Sequence, residues 1–179
     1  MTSDPDILAL IARDSEAGYR ELLRKYSAGV YGHIRRITVV HADAEDALQE
    51  TFVRVFRHID RVRPGEPLGP WIYRIATNEA LRQCERRGPI TISLDDCTVS
   101  DSHGPVADEY IDFSDLEAVR LQQAIQSLPP RQQATFNLRY YDDFDYATIA
   151  SIMGGTAAAA KANYYNAKEK IIKHLNIDR

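Results

Sequence analysis

The sequence is short of the features that mark several large classes of protein. It has only two cysteines, Cys84 and Cys97, and neither has a second pair or a histidine at zinc-ligand spacing, which argues against a disulfide framework and a structural metal. No apolar run approaches the roughly 18 residues of a membrane span. The first residues, MTSDPDILALIARD, are acidic and lack the basic start of a signal peptide, so a cytoplasmic chain without membrane insertion is expected. No glycine-rich phosphate loop opens a helix and no hydrolase-like Ser/His/Asp pattern stands out, so neither an enzyme nor a cofactor site is expected. Lysine and arginine are absent from residues 88–115, where Pro89, Gly104 and Pro105 accompany seven acids: Asp95, Asp96, Asp101, Asp108, Glu109, Asp112 and Asp115. That stretch reads as an acidic linker. It accounts for the whole net charge of −4, and both flanking segments are mildly basic.

What is present is helical periodicity. From Asp6 to about Arg87 the apolar spacing is that of helices, with breaks near His41-Ala42-Asp43 and at Arg63-Pro64-Gly65-Glu66-Pro67. A second helical block begins near Ser114, and Leu128-Pro129-Pro130 divides its first two helices. The expected fold is all-α: a helical domain over residues 1–87, the linker over 88–115, and a second helical domain over 116–179.

The most specific local signal runs from Tyr146 to Leu175. Ile149, Ala150, Ile152 and Met153 share one side of a first helix, which stops at Gly154-Gly155, where glycine can reverse the chain. Thr156 then caps a second helix. Its buried stripe is Ala160, Tyr164, Ala167, Ile171 and Leu175, which leaves Lys161, Ala162, Tyr165, Asn166 and Lys168 facing outward. Two helices joined by a tight turn predict a helix-turn-helix whose second helix enters a DNA groove.

A second signal is DAEDALQETFVRVFRHIDR, residues 43–61. Asp43 is expected as N-cap, and Leu48, Phe52, Val55, Phe56 and Ile59 form a core stripe. Asp46, Gln49, Glu50, Val53, Arg54 and Arg57 are left on the other face. The helix PWIYRIATNEALRQCERR follows, with Pro70 near its start and Trp71, Ile75 and Ala76 directed inward. Tyr73, Arg74, Thr77, Asn78, Arg82, Arg86 and Arg87 mix aromatic, polar and cationic groups. Such a mixture suits unpaired nucleic acid, because rings stack on splayed bases while guanidinium groups hold the backbone.

In this order DAEDALQETF, WIYRIATNEALRQCERR and LPPRQQATFNLRYYDDFDYATIASIMGGTAAAAKANYYNAKEKI resemble regions 2 and 4 of extracytoplasmic-function sigma factors, the two-domain class of bacterial RNA polymerase sigma subunits. The resemblance implies a non-catalytic initiation factor whose partners are core polymerase, through the β′ clamp helices and the β flap, promoter DNA, both duplex and melted, and an anti-sigma factor. Asp46, Gln49, Glu50 and Val53 would dock on core polymerase. The loop from Arg61 to Gly69, with Arg61 and Arg63, would form part of a pocket for a base flipped from the minus-10 element. Tyr73, Arg74, Asn78, Arg82, Arg86 and Arg87 would contact that element. Arg131 and Thr156 would hold phosphates, and Lys161, Ala162, Tyr165 and Asn166 would face the minus-35 major groove. The linker's charge would resemble that of nascent RNA along the polymerase's RNA path.

Two departures from the family pattern stand out. Leu68, Gly69 and Pro70 occupy the place where members commonly carry Phe, a basic residue and Thr. The recognition helix, AAAAKANYYNAKEK, has no arginine, so it lacks the guanidinium fork that most often reads guanine. The alternatives to a sigma factor are a stand-alone helix-turn-helix regulator and a degenerate sigma paralogue that reads DNA weakly.

Overall fold

The computed structural model describes residues 2–63, 65–88 and 116–177. Among the described residues there is no strand, and the fold is all-α as expected. The first helix, α1 (Asp4–Arg13), opens with a capping box in which Ser3 and Asp6 satisfy each other's backbone amides. Asp14 ends α1 and caps α2 (Ser15–Thr38) by accepting from the Ala17 amide at 3.0 Å. Where the two helices cross, a Cβ on Gly18 would stand 2.5 Å from Ile11 Cγ1, so only glycine permits this approach.

Helix α2 stops at Val39, which takes the unusual φ of 65° for a β-branched residue. Helix α3 (His41–His58) and a 3-10 turn (Ile59–Arg61) follow, then α4 (Leu68–Arg87), which ends at Gly88 with φ 79°. These four helices enclose a core that includes Leu22, Ile34, Val55, Leu68 and Ile72, all fully buried. The second unit contains α5 (Leu116–Gln126), α6 (Pro130–Tyr140), α7 (Tyr146–Met153) and α8 (Ala157–Ile177). Ile125, Phe136 and Ile171 form one of its small cores, and Leu138, Ile149 and Ile152 another.

Several sequence expectations are corrected here. The first break lies at Val39-Val40 rather than 41–43, so Asp43 is not an N-cap but a first-turn residue of α3, where its carboxylate receives Arg87 Nη1 at 2.8 Å. A further break at Asp14 divides a segment that periodicity alone reads as continuous. The helix after the proline loop starts at Leu68, which makes Pro70 its third residue. The acidic segment, residues 89–115, lies outside the described residues.

The two units are in contact. Ala134 of α6 and Met153 of α7 pack against the first unit's core, and α7 lies along α4.

Candidate nucleic-acid interface

Helix α3 turns Ala44, Ala47, Thr51, Phe52 and Val55 into the core, because apolar residues recur at helical spacing on that side only. Asp46, Gln49 and Glu50 are consequently exposed in a row, with Val53 half-buried at its edge. Among the described residues none of the three has a side-chain hydrogen bond or ion pair, so the strip is polar and open to solvent.

Helix α4 sorts its candidate residues in an unexpected way. Arg74, Asn78, Arg86 and Arg87 are exposed, and Arg61 and Arg63 are exposed on the preceding loop. Thr77 is 1 % exposed. Tyr73 is half-buried, its ring edge-on to Phe144 at 4.9 Å and tilted against His33 at 5.2 Å. The cationic residues are also less free than the sequence suggests. Arg82 lies 3.1 Å from the buried carboxylate of Glu79, which Arg54 of α3 approaches at 2.8 Å from the other side, and Arg87 is held by Asp43. Glu79 and Arg54 thus set how much positive charge α4 presents. The sequence places Arg54 on the polar face of α3 but does not pair it with Glu79, although Glu79 and Arg82 stand three apart, a spacing at which helical side chains meet.

The helix-turn-helix forms as the sequence predicts. Ile149, Ala150 and Ile152 are buried, Gly154 carries φ 70° in the turn, and Thr156 Oγ1 accepts the Ala159 amide at 3.2 Å. Asp145 caps α7 through the Thr148 amide, and this hydrogen bond holds its carboxyl below the usual value. On α8, Ala160, Ala167 and Ile171 are buried while Lys161, Ala162, Tyr165 and Asn166 are exposed. Tyr165 is 50 % exposed and packs edge-on against Tyr164, whose ring stacks on Phe136. Arg131 is exposed but its Nη2 donates to the Met153 carbonyl at 2.7 Å, so it braces the C-terminal end of α7.

A seam joins the units, and its polar residues were not legible in the sequence. In the loop between α6 and α7, Asp142 is nearly buried. One carboxylate oxygen accepts from Arg36 Nη2 at 2.6 Å, and the other lies 2.8 Å from His33 Nδ1. His33 Nε2 meets Thr77 Oγ1 at 2.9 Å, and that hydroxyl donates to the Tyr73 carbonyl at 2.7 Å. A carboxylate oxygen can only accept, so His33 Nδ1–H donates to Asp142, and the Thr77 hydroxyl stands between the His33 Nε2 and the Tyr73 carbonyl. Arg36 also lies over the Tyr141 ring at 4.6 Å, and its carbonyl accepts from Gln133 Nε2 at 3.3 Å. Burial pushes the Tyr141 hydroxyl above its ordinary value, with Arg36 pulling it partly back.

A helical bundle with an exposed polar face, joined to a helix-turn-helix whose second helix is open to solvent, defines a DNA-binding protein of two helical units. Residues 22–89 match the family model for Sigma-70 region 2, and residues 118–171 match that for Sigma-70 region 4. The chain is 31 % identical over 157 residues to the ECF RNA polymerase sigma factor SigE of Mycolicibacterium smegmatis, covering 87 % of this chain and 60 % of that relative. It is 24 % identical over 180 residues to the RNA polymerase sigma-H factor of Pseudomonas aeruginosa, covering 96 % of this chain and 93 % of that one. In fold it is similar to CnrH in complex with the cytosolic domain of CnrY, with a TM-score of 0.75 at 18 % identity over 99 % of this chain and all of that one. It is also similar to the sigma factor RpoE of Bartonella quintana bound to the anti-sigma factor NepR, with a TM-score of 0.68 at 21 % identity over 90 % and 98 % of the two chains. The chain belongs to the sigma-70 family and is a sigma factor of the extracytoplasmic-function type. Among the described residues no helix is long and apolar enough to cross a membrane.

Proposed function

We propose that the chain acts in the cytoplasm as a non-enzymatic initiation subunit: it binds core RNA polymerase, directs it to a small set of promoters and helps open the duplex. The observation that carries this reading is the presence, on one chain, of an open polar strip on α3 and an open recognition face on α8. A stand-alone regulator would need only the second.

In this reading residues 1–87 form the polymerase-binding and minus-10 domain, 88–115 the connection and 116–179 the minus-35 domain. Asp46, Gln49, Glu50 and Val53 dock on the polymerase. Arg74, Asn78, Arg86 and Arg87 meet the minus-10 strand, joined by Arg61, Arg63, Tyr73 and Arg82. Capture of an extruded base by these groups offsets an unpairing cost of roughly a few kcal/mol, so opening needs no separate energy source. Thr156, Lys161, Ala162, Tyr165 and Asn166 face the minus-35 duplex, and Arg131 contacts phosphate near the turn. With no arginine on the face of α8, Asn166 is the residue suited to a bidentate contact, with adenine, and Tyr165 is placed to meet a thymine methyl. An anti-sigma factor is a further partner.

The test is reconstituted transcription. Core polymerase with the purified chain, supplied with fragmented genomic DNA, should yield transcripts whose 5′ ends share two sequence elements upstream. Core binding without specific transcripts would favour the paralogue that reads DNA weakly, which the arginine-free helix supports. DNA binding without core binding would favour the stand-alone regulator.

A further inference from the structure

We infer that Arg54 of α3 and Arg82 of α4, aimed by the buried carboxylate of Glu79, form a single clamp for a backbone phosphate of the opened DNA strand.

The clamp is built across the packing of α3 on α4. The Glu79 side chain is 7 % exposed and its Oε1 stands 2.8 Å from Arg54 Nε. Arg82 Nη1 donates to both carboxylate oxygens, at 3.2 and 3.1 Å. Among the described residues no other carboxylate pairs with either guanidinium. A buried carboxylate that only needed a counter-charge would be served by one arginine. Here the second leaves a positive charge over, and the Arg54 and Arg82 side chains remain 41 % and 42 % exposed.

That surplus suits a phosphate. A guanidinium carries five N–H donors in a planar fork. Arg82 uses Nη1 on Glu79 and Arg54 turns its Nε toward it, which leaves Nη2 of Arg82 and both Nη groups of Arg54 for a ligand. Cations that meet the oxygens of one carboxylate stand within a few ångströms of each other, a gap that a phosphate bridges with two of its own oxygens. Glu79 already restricts both side chains, so less freedom is lost when the phosphate binds.

The sequence sets where that phosphate lies. Arg82 stands four residues after Asn78 and four before Arg86, on one strip of α4, and Arg54 stands four after Glu50 on α3. The clamp therefore joins the strip proposed for the opened strand to the strip proposed for polymerase. Its use in opening rests on that proposed reading of α4, whereas its affinity for phosphate rests on the ion-pair geometry alone.

The test is binding of a fluorescein-labelled, mixed-sequence single-stranded DNA of about 15 nucleotides to the full-length chain, read by anisotropy from about 50 to 200 mM salt. Arg54→Gln and Arg82→Gln should each reduce the slope of log affinity against log salt by about 0.7, as for one phosphate of a single strand, and weaken binding about fivefold at about 0.1 M salt. The double variant should show no further fall in slope, because both arginines hold the same phosphate. Arg57→Gln removes the same charge from an exposed position on α3 and should leave the slope unchanged. Glu79→Gln should weaken binding although it adds positive charge. Circular dichroism checks folding, and Glu79→Asp, which keeps the charge and withdraws the carboxylate by one carbon, replaces the Gln variant if that one misfolds.

Unchanged slopes in both single arginine variants overturn the clamp, and so does a fall about twice as large in the double variant, which would assign the arginines to separate phosphates. Unchanged or tighter binding by the folded Glu79 variant overturns the aiming role of that carboxylate. Arg74→Gln and Asn78→Ala on the same probe keep the two readings apart. Loss in the Arg54 and Arg82 variants with none in those two upholds the clamp and refutes the minus-10 reading of α4, whereas the reverse refutes the clamp alone.

Discussion

The carboxylate of Asp4 caps a helix that begins 64 positions later: its Oδ2 accepts the Leu68 amide at 2.8 Å. Helix α4 has Pro67 at its N-cap and no side-chain cap of its own, so one of its unpaired first-turn amides is satisfied from α1. The other oxygen receives Lys25 Nζ at 2.6 Å and the Tyr26 hydroxyl at 2.5 Å. The contact fixes the start of the helix that carries the minus-10 candidates.

This arrangement predicts an acid sensitivity. Burial pushes Asp4 upward, but Lys25, Tyr26 and the Leu68 amide outweigh it and hold the carboxyl below its usual value. Its folded-state value is therefore lower than its unfolded one. The stability it contributes is fully present above the ordinary carboxylate range and is lost as pH falls through the depressed value. Asp4→Asn should lower stability near neutrality by about 1–3 kcal/mol and flatten the acid limb of a plot of unfolding free energy against pH. Denaturant titrations from pH 7 down to pH 3 would check both.

Polymerase docking is expected to follow the exposed strip on α3. Gln49→Ala combined with Glu50→Lys changes two exposed side chains on a helix whose opposite side is core, so circular dichroism and thermal unfolding should stay unchanged. Affinity for core polymerase should fall about tenfold or more, read by fluorescence anisotropy of the labelled factor. Native affinity would return that strip to the role of a solvated surface.

Two exposed asparagines, Asn78 on α4 and Asn166 on α8, should separate the two DNA functions. Asn78→Ala should impair opening or selectivity at the minus-10 element, read by permanganate footprinting. Asn166→Ala should relax discrimination at a single minus-35 position by about 1–3 kcal/mol, as expected for loss of a bidentate base contact, read by binding to a set of promoter variants. Exchange of the two phenotypes would overturn the assignment of both helices.

The turn between α7 and α8 offers a matched pair. Gly154 adopts φ 70° whereas Gly155 does not require positive φ, and a Cβ at either meets nothing within 4 Å. Gly154→Ala should cost about 1–2 kcal/mol from the left-handed backbone alone, and Gly155→Ala should be close to neutral. Thermal unfolding of the two variants measures the difference.

Much of this protein is readable one element at a time. The stripes on α3 and α8, the stop at Gly154 and the cap at Thr156 all follow from residues within a turn or two of one another. The missed break at Asp14 was also local, since Asp-Ser before a run of helix formers is a start signal. The end of α2 is not: Thr38-Val39-Val40 contains no glycine or proline, yet Val39 takes a φ of 65°. The seam is harder still. Asp142 looks like one of three acids in a polar loop, and nothing periodic connects it to His33, 109 positions away. Thr77 and Tyr73 belong by residue type to the mixture suited to nucleic acid, yet Thr77 is buried and Tyr73 packs on Phe144, because helical spacing describes one helix and the second unit decides which side of α4 is covered.

The seam also bears on how freely such a protein can be reassembled from parts. The charge on Asp142 belongs to one unit and its two partners to the other, so residues 116–177 are not an interchangeable cassette. A hybrid that joined this first unit to another factor's DNA-reading unit would leave His33 and Arg36 facing whatever replaced Asp142. A neutral or basic replacement would remove the carboxylate that now lies 2.6 Å from Arg36 Nη2 and 2.8 Å from His33 Nδ1. Transplanting residues 141–146 together with the new unit would restore the fit, so hybrid factors made to rewire promoter choice should be joined with that loop kept native.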